Sequence, residues 1–240
     1  MSKIPQKIET TGALEPDYMG RKFSDADIAA GKHRQWIGSH WDEHGAHQLA
    51  FLKTEGLLPH HKFCDIGSGC FRAGRHLIDY LDAGNYYAID TNESLLQTGY
   101  DIELTDEQRK KLPLAHVRMT DRFDVDFGVK FDFAIAQSVF SHVNLNLMRL
   151  CLHRTGTAMA VGGRFFATFY EAPKTRPIDE VIKKPGKRPM FHERNTYWYY
   201  RTDMRWVSAR ETWDTRYIGS WGHPAGQKMF EYIRRADNVA

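Results

Sequence analysis

From about residue 60 the chain alternates short apolar runs with amphipathic stretches, as strands alternate with crossover helices. Strands are predicted at residues 62–66, 86–90, 114–119, 131–136 and 164–171. Phe131-Asp132-Phe133-Ala134-Ile135-Ala136 is the most apolar of them and suits the centre of a parallel sheet covered on both faces. Between the strands, residues 72–81, 93–100 and 145–159 read as helices, with Asn92 capping the second. A polar stretch through Lys111 ends at Pro113. Ahead of the first strand, Trp41, Ala46, Leu49, Ala50 and Leu52 share one face of a helix over residues 39–52, ended by Gly56 and Pro59. Towards the end, a helix near residues 202–212 leads to alternating runs at 213–219 and 227–234, a closing pair of strands. Residues 1–23 show no apolar period and read as a loosely held arm, after which Ser24 and Asp25 can cap a short helix. The expected organisation is an N-terminal arm and helical cap over residues 1–59, then an α/β domain over 60–240 with an insert at about 172–200.

The first two strands carry the chemistry. The run Asp65-Ile66-Gly67-Ser68-Gly69-Cys70-Phe71 ends a strand in an acid and a glycine pair, so the backbone can turn sharply and admit a ligand close to its amides. About 25 residues later Tyr86-Tyr87-Ala88-Ile89-Asp90 ends the next strand in a second acid, placed to accept both hydroxyls of a ribose. The third glycine of a dinucleotide fingerprint is absent, which counts against NAD or FAD.

Asp-Ile-Gly-Ser-Gly resembles motif I of the class I S-adenosylmethionine-dependent methyltransferases, usually Asp/Glu-x-Gly-x-Gly-x-Gly. The departure is Phe71 in place of the last glycine, and it bears on the shape of the methionine-tail pocket. The resemblance implies a Rossmann-like, seven-stranded methyltransferase sheet with its last strand antiparallel and helices on both faces. It implies S-adenosyl-L-methionine as cofactor, with Asp65, Gly67, Ser68, Gly69, Arg72, Asp90, Thr91, Asp121, Phe123 and Gln137 around it. In that family a polar residue and an apolar one after the third strand flank the adenine, here Asp121 and Phe123. The leading helix lies over the cofactor mouth, so Trp36 and Trp41 either help cover the ligand or pack as ordinary indoles. Trp221-Gly222-His223-Pro224-Ala225-Gly226-Gln227 is similar to a segment of bacterial methyltransferases of carbohydrate and small-molecule pathways.

A doubly wound sheet exposes its reaction centre at the carboxyl ends of its strands. After the central strand the chain reads Gln137-Ser138-Val139-Phe140-Ser141-His142, without the Asn/Asp-Pro-Pro-Tyr/Phe that holds planar amines in many N-methyltransferases. His142 is the first candidate for a general base, its alternative being to cap or pack the following helix. Glu171, at the end of the fifth strand, is the second. Tyr170 and Lys174 have the spacing of the short-chain dehydrogenase pair, but Pro173 makes a loop there rather than the shared helical face that pair requires. The insert holds Lys174, Arg176, Lys183, Lys184, Lys187, Arg188 and Arg194 against Asp179, Glu180 and Glu193, with Tyr197, Trp198, Tyr199 and Tyr200 following. It reads either as a lid for an anionic or sugar-like acceptor or as a solvated loop. His40, His44 and His47, near Asp42 and Glu43, fall on one helical face and read as a zinc site or as solvated histidines; methyl transfer from a sulfonium needs no metal.

Composition limits the remaining classes. At 240 residues the chain is long enough for a full core, and a net charge of +3 does not demand nucleic acid. No run approaches a membrane span, and the first residues lack the apolar segment of a signal peptide, so the expected compartment is the cytosol. Three cysteines, Cys64, Cys70 and Cys151, carry no Cys-x-x-Cys pair, and Cys64 and Cys151 lie in apolar patterns typical of buried thiols. The expected function is methyl transfer from S-adenosylmethionine to a small polar acceptor, hydroxyl oxygen favoured over nitrogen. The alternatives are a catalytically silent cofactor-binding protein and an RNA or protein methyltransferase using the basic insert. The oligomeric state is left open.

Overall fold

The protein, as a computed structural model, is described over residues 18–38, 40–175, 177–181 and 195–236. The strands are β1 (Phe63–Ile66), β2 (Tyr86–Asp90), β3 (Val117–Met119), β4 (Phe131–Ala136), β5 (Met159–Glu171), β6 (Trp198–Tyr199), β7 (Trp213–Ser220) and β8 (Lys228–Arg234). Seven of them lie in the order β3-β2-β1-β4-β5-β8-β7, and β6 adds a two-residue pairing to the end of β5. The first five run parallel, while β8 is antiparallel to both of its neighbours. This is the expected seven-stranded sheet, extended by the short β6.

The helices are α1 (Asp25–Ala29), α2 (Lys32–Trp36), α3 (Trp41–Thr54), α4 (Gly74–Tyr80), α5 (Glu93–Thr98), α6 (Asp106–Lys111), α7 (Leu145–Ala158) and α8 (Arg201–Trp206). Their starts follow local chemistry. Ser24 and Thr105 form capping boxes with Asp27 and Gln108, and the Asn92 and Asn144 side chains accept the amides of Leu95 and Leu147. Four predicted elements differ. The fifth strand begins earlier, at Met159 rather than residue 164. The third strand is shorter, because Leu114–His116 forms a 3-10 turn after Pro113. The polar stretch before Pro113 holds α6, capped by Thr105. The helix near residue 202 stops at Trp206.

Period-two alternation sorts the sheet's side chains between two cores. Cys64, Ile66, Tyr87, Ile89, Ala134, Ala136, Phe165 and Ala167 face Met148, Cys151 and Leu152 of α7 and Met204 of α8. Phe63, Tyr86, Ala88, Phe133, Ile135 and Phe166 face Leu52 of α3 and Leu77 and Ile78 of α4. Asp65, Asp90, Gln137 and Thr168 fall on this second parity. Asp65, Asp90 and Gln137, at the carboxyl ends of β1, β2 and β4, and Thr168 within β5 therefore look towards α3 and α4, whereas Glu171, the last residue of β5, has the opposite parity. All three cysteines are buried and unpaired. Among the described residues no helix is long and apolar enough to cross a membrane.

The antiparallel end of the sheet is tied by charge. Glu231 of β8 is fully buried and accepts from Nε of Arg164 and Nε of Arg216, each at 2.5 Å. Both guanidinium groups also pair with Glu55, just past α3. Two acids and two bases thus join β5, β7, β8 and the end of α3. Removing one member strands buried charge, which costs more than the intact network contributes. Glu231→Gln is expected to lower unfolding free energy by about 2–4 kcal/mol, reduced from the fully buried case because both arginines are partly exposed. Urea titration checks this, and a loss below about 0.5 kcal/mol would show the network to be energetically idle.

Candidate active site at the carboxyl edge of the sheet

The loop after β1 is built for tight turning. Gly67 and Gly69 have φ of 74° and 58°, in the left-handed region where a Cβ is strained. Asp90, at the end of β2, holds this loop: Oδ2 accepts from the Gly69 amide at 2.8 Å and Oδ1 from the Asn92 amide at 2.9 Å. Burial raises the Asp90 pKa, partly offset by these amide bonds and one from Thr91. Both oxygens retain acceptor capacity. Asp65 turns inward instead and accepts from the Tyr86 hydroxyl at 2.7 Å. Its pKa is pushed up to about 7, chiefly by burial, with the Asp90 charge acting in the same direction.

Ile89 O accepts from the Gly67 amide at 2.8 Å and the Ser68 amide at 3.1 Å, and Ser68 O accepts from the Phe71 amide at 3.1 Å. With Gly69 committed to Asp90, four amides of the loop are consumed inside the protein. They form no cradle for a pyrophosphate, although Ser68 Oγ and Arg72 Nε are buried without hydrogen-bond partners among the described residues.

Phe71 takes a left-handed backbone of the kind glycine adopts readily, with φ of 63°, and its ring is fully buried. A Cβ on Gly74 would come within 2.9 Å of that ring, and one on Gly99 within 2.6 Å. Those two glycines make the space that Phe71 fills. The substitution thus changes the packing behind the loop, with the ring in the core on the α3 and α4 side.

Residues 18–38 lie across this edge. Asn92 Nδ2 donates to Tyr18 O at 2.6 Å and Arg21 O at 2.9 Å, and Arg72 Nη1 donates to Ile37 O at 3.0 Å. Ile37 sits where a Cβ on Gly69 would come within 3.1 Å, and Val139 occupies the corresponding space at Gly67. A ligand approaching the glycines therefore has to displace the Ile37 segment. Trp36 packs in this cover beside Tyr18 and Phe23, while Trp41 is flanked by Arg34 and Arg75.

The predicted base His142 sits at the far end of the cover. Asn195 Oδ1 lies 2.6 Å from its Nδ1, the Tyr18 hydroxyl lies 3.0 Å from the same nitrogen, and the Tyr18 ring packs on it at 4.7 Å. Asn195 Nδ2 donates back to His142 O, so the asparagine grips both ring and backbone. Glu171 is the correction: the Arg201 guanidinium pairs with one carboxylate oxygen and the Tyr217 hydroxyl donates to the other at 2.6 Å. Despite burial, these partners hold its pKa below the usual carboxylate value. A carboxylate so engaged ties β5 to α8 and β7, and its lowered pKa makes it a weaker base than a free carboxylate.

Asp121 and Phe123 also differ from expectation. The turn buries the Phe123 ring in the core under α7, away from the Asp65 and Asp90 parity, and leaves Asp121 exposed. Tyr170 and Lys174 lie on a strand and a turn, as Pro173 implied. Most of the basic insert, including Arg176, Lys183, Lys184, Lys187, Arg188, Glu193 and Arg194, lies outside the described residues, as does Ser39. Of the aromatic run, Tyr199 donates to Val143 O at 2.7 Å and Trp198 stacks on Tyr170 at 5.1 Å.

A second polar cluster was not expected. One end of the Gln137 amide lies 2.7 Å from Nε2 of His223, 3.2 Å from Nε2 of His44 and 3.0 Å from Oγ of Ser138. Gln227 Nε2 donates to Ser138 Oγ at 3.1 Å, its Oε1 accepts from the Thr168 hydroxyl at 2.6 Å, and Thr168 Oγ1 accepts from the Ser138 amide at 2.7 Å. Ser138 is held at φ of 59°, uncommon for a residue with a Cβ. Burial, with the Arg72 charge as the next cause, lowers the pKa of His44 to about 3 and of His223 to about 4, so both are neutral near pH 7. Of the three histidines read as a possible zinc site, His44 joins this cluster, His40 is exposed beside Glu43, and His47 donates to Trp221 O at 2.6 Å. Among the described residues no group of His, Cys, Asp and Glu converges as a metal site. The Trp-Gly-His-Pro-x-Gly-Gln segment was the available signal for the cluster.

No family model and no curated protein sequence matches the chain. Solved structures do. A sugar N-methyltransferase from Streptoalloteichus sp. matches 98% of this chain and 100% of its own at 13% identity, with a TM-score of 0.58. An amino pentose methyltransferase from Micromonospora echinaspora, solved with bound SAM, matches 89% and 98% at 15% identity and a TM-score of 0.59. Magnesium protoporphyrin IX methyltransferase from Synechocystis PCC 6803, also solved with SAM, matches 91% and 88% at 16% identity and a TM-score of 0.57. With the strand order above, these likenesses establish the fold: it is that of the class I S-adenosylmethionine-dependent methyltransferases.

Proposed function

We propose that this protein is an S-adenosylmethionine-dependent methyltransferase acting on a small polar acceptor, with a hydroxyl oxygen rather than a nitrogen receiving the methyl group. The observation that carries the reading is the pairing of Asp90 with a glycine loop whose amides are already consumed. The carboxylate suits a ribose diol, and the loop suits a ligand without phosphates. The structural neighbours named for sugar, amino pentose and porphyrin methylation support a small-molecule acceptor. Gln137-Ser138, in place of an amine-gripping Asn/Asp-Pro-Pro-Tyr/Phe, supports oxygen over nitrogen.

In this reading the spare lone pairs of Asp90 accept the ribose hydroxyls, assisted by Thr91 beside it. Ser68 Oγ and Arg72 Nε, both buried and unpartnered, face the opposite end of the cofactor, and Gln137 borders the reacting centre. The bound cofactor supplies an electrophilic methyl group with its own leaving group. The chain's tasks are to align the acceptor, exclude water and take one proton, and alignment is the larger contribution. Residues 18–38 exclude water. His142 takes the proton: its Nδ1–H donates to Asn195 Oδ1, which fixes the tautomer and leaves the Nε2 lone pair basic. The Tyr18 hydroxyl, 3.4 Å from that nitrogen, withdraws when the acceptor enters.

Asp90→Ala is expected to weaken S-adenosylhomocysteine binding by about 1.5–3 kcal/mol, roughly 10- to 150-fold in calorimetry. Unchanged affinity, or tighter binding of NADH than of S-adenosylhomocysteine by the parent protein, would sink the cofactor assignment.

His142→Ala is expected to lower turnover by about a hundredfold, with S-adenosylhomocysteine affinity changed only a few-fold. Asn195→Ala is expected to lose less, since it removes the orientation of the ring but not the ring. Radiolabelled methyl transfer into a small-acceptor panel reads both. A His142→Ala enzyme with most of its activity would reduce the residue to an anchor for Tyr18.

A further inference from the structure

The Trp221 to Gln227 segment turns back over the loop that follows β4, and three of its side chains lock to different neighbours. Trp221 stacks on His47 of α3 at 5.0 Å, His223 reaches Gln137, and Gln227 bridges Thr168 and Ser138. Gly222, at φ of 88°, lets the chain pass where a Cβ would come within 2.8 Å of the His47 ring. The segment is thus built to hold one imidazole, that of His223, against the end of β4.

Hydrogen-bond logic fixes the polarity of the cluster. The Ala225 amide donates to Nδ1 of His223 at 3.0 Å, so the neutral ring carries its proton on Nε2. The end of the Gln137 amide 2.7 Å from that Nε2 must then be the carbonyl oxygen, and the same oxygen accepts from Nε2–H of His44. Two groups are left over. The other end of the amide, its NH2, meets no donor among the described residues, and Nδ1 of His44 has no partner there. Gln137 is 9% exposed and His44 4%, so both are buried, and His44 Nδ1 is a buried polar atom that lacks a mate. One donates and the other accepts. The cluster reaches solvent through the half-exposed His223 and Ser138.

An uncharged hydroxyl can serve both, donating to His44 Nδ1 and accepting from the Gln137 amide. A carboxylate only accepts and an ammonium only donates. The neighbouring guanidinium of Arg72, buried with the cluster, repels an ammonium further. We propose that His44 and Gln137, backed by His223, form the acceptor subsite, and that it takes the uncharged hydroxyl-bearing part of a polyol or sugar-like molecule in preference to an amino or carboxylate group. The proposal rests on the methyltransferase reading, since it gives that site its acceptor class.

The test uses the full chain loaded with S-adenosylhomocysteine and ligand-observed saturation-transfer NMR, with three probes: methyl α-D-glucopyranoside, glucosamine and glucuronate. Transfer to the glucoside is expected, with at least about tenfold weaker binding of the two charged sugars. His44→Phe is expected to abolish transfer, and His44→Asn, whose side-chain oxygen can stand near Nδ1, to retain it, with cofactor affinity unchanged in both. Should His44→Phe fail to fold, 15N-histidine NMR of the parent decides: both His44 and His223 are expected as Nε2–H tautomers, and an Nδ1–H tautomer at His44 overturns the subsite. Cofactor binding without transfer to the glucoside, or stronger transfer to glucosamine or glucuronate, overturns the hydroxyl subsite alone. Failure of S-adenosylhomocysteine to bind the parent in calorimetry defeats the methyltransferase reading and this proposal with it.

Discussion

The carboxylate of Asp90 is the point on which the candidate site depends. One oxygen fixes the glycine loop through Gly69 and the other fixes the start of α5 through Asn92. Asn92 then does three jobs: its side-chain oxygen caps α5, and its amide nitrogen holds the carbonyls of Tyr18 and Arg21. Tyr18 reaches His142, and His142 reaches Asn195. One chain of hydrogen bonds thus runs from the turn after β1, across the cover, to the loop after β4. Because each link uses a short, directional contact, a shift at one end moves the geometry at the other.

Charge is distributed unevenly about this chain. On the α3 and α4 side, burial keeps two imidazoles uncharged and raises Asp65, so the groups nearest the end of β4 are hydrogen-bonding dipoles. Of the full charges, the Arg72 guanidinium lies beside these dipoles, whereas Glu231 with Arg164 and Arg216 and Glu171 with Arg201 are paired with one another. Such a division suits a reaction whose electrophile brings its own charge, because fixed dipoles orient a nucleophile without neutralising the methyl donor.

The strands and the loop acids were legible because they depend on local rules, whereas the arrangement of the sheet came only through the family resemblance. Alternation gave the parallel strands, and an acid followed by paired glycines gave the loop after β1. Glu171 was misread because its partners Arg201 and Tyr217 lie 30 and 46 residues away, beyond any local pattern. His44 and His223 were missed as a pair for the same reason, lying 93 and 86 residues from the Gln137 that joins them. The helical face shared by His40, His44 and His47 allowed a zinc site or three solvated histidines, whereas packing divides the three among solvent, Gln137 and Trp221. The turn after β3 was placed correctly in the chain, yet the direction of Phe123 depends on a left-handed residue that periodicity does not reveal.

Phe71 with Gly74 and Gly99 has a consequence for how such sequences evolve. The glycine motif is usually treated as a string of independent requirements, but here a ring stands at its last position and rests on two other glycines, one three residues on and one in the turn that follows α5. A ring at 71 is compatible with the fold only while both positions stay small, and small residues there leave a void if the ring is lost. The three positions therefore constrain one another. A chain built this way cannot easily exchange the ring for a glycine by a single step, which gives one physical route by which a fold holds with an incomplete sequence signature.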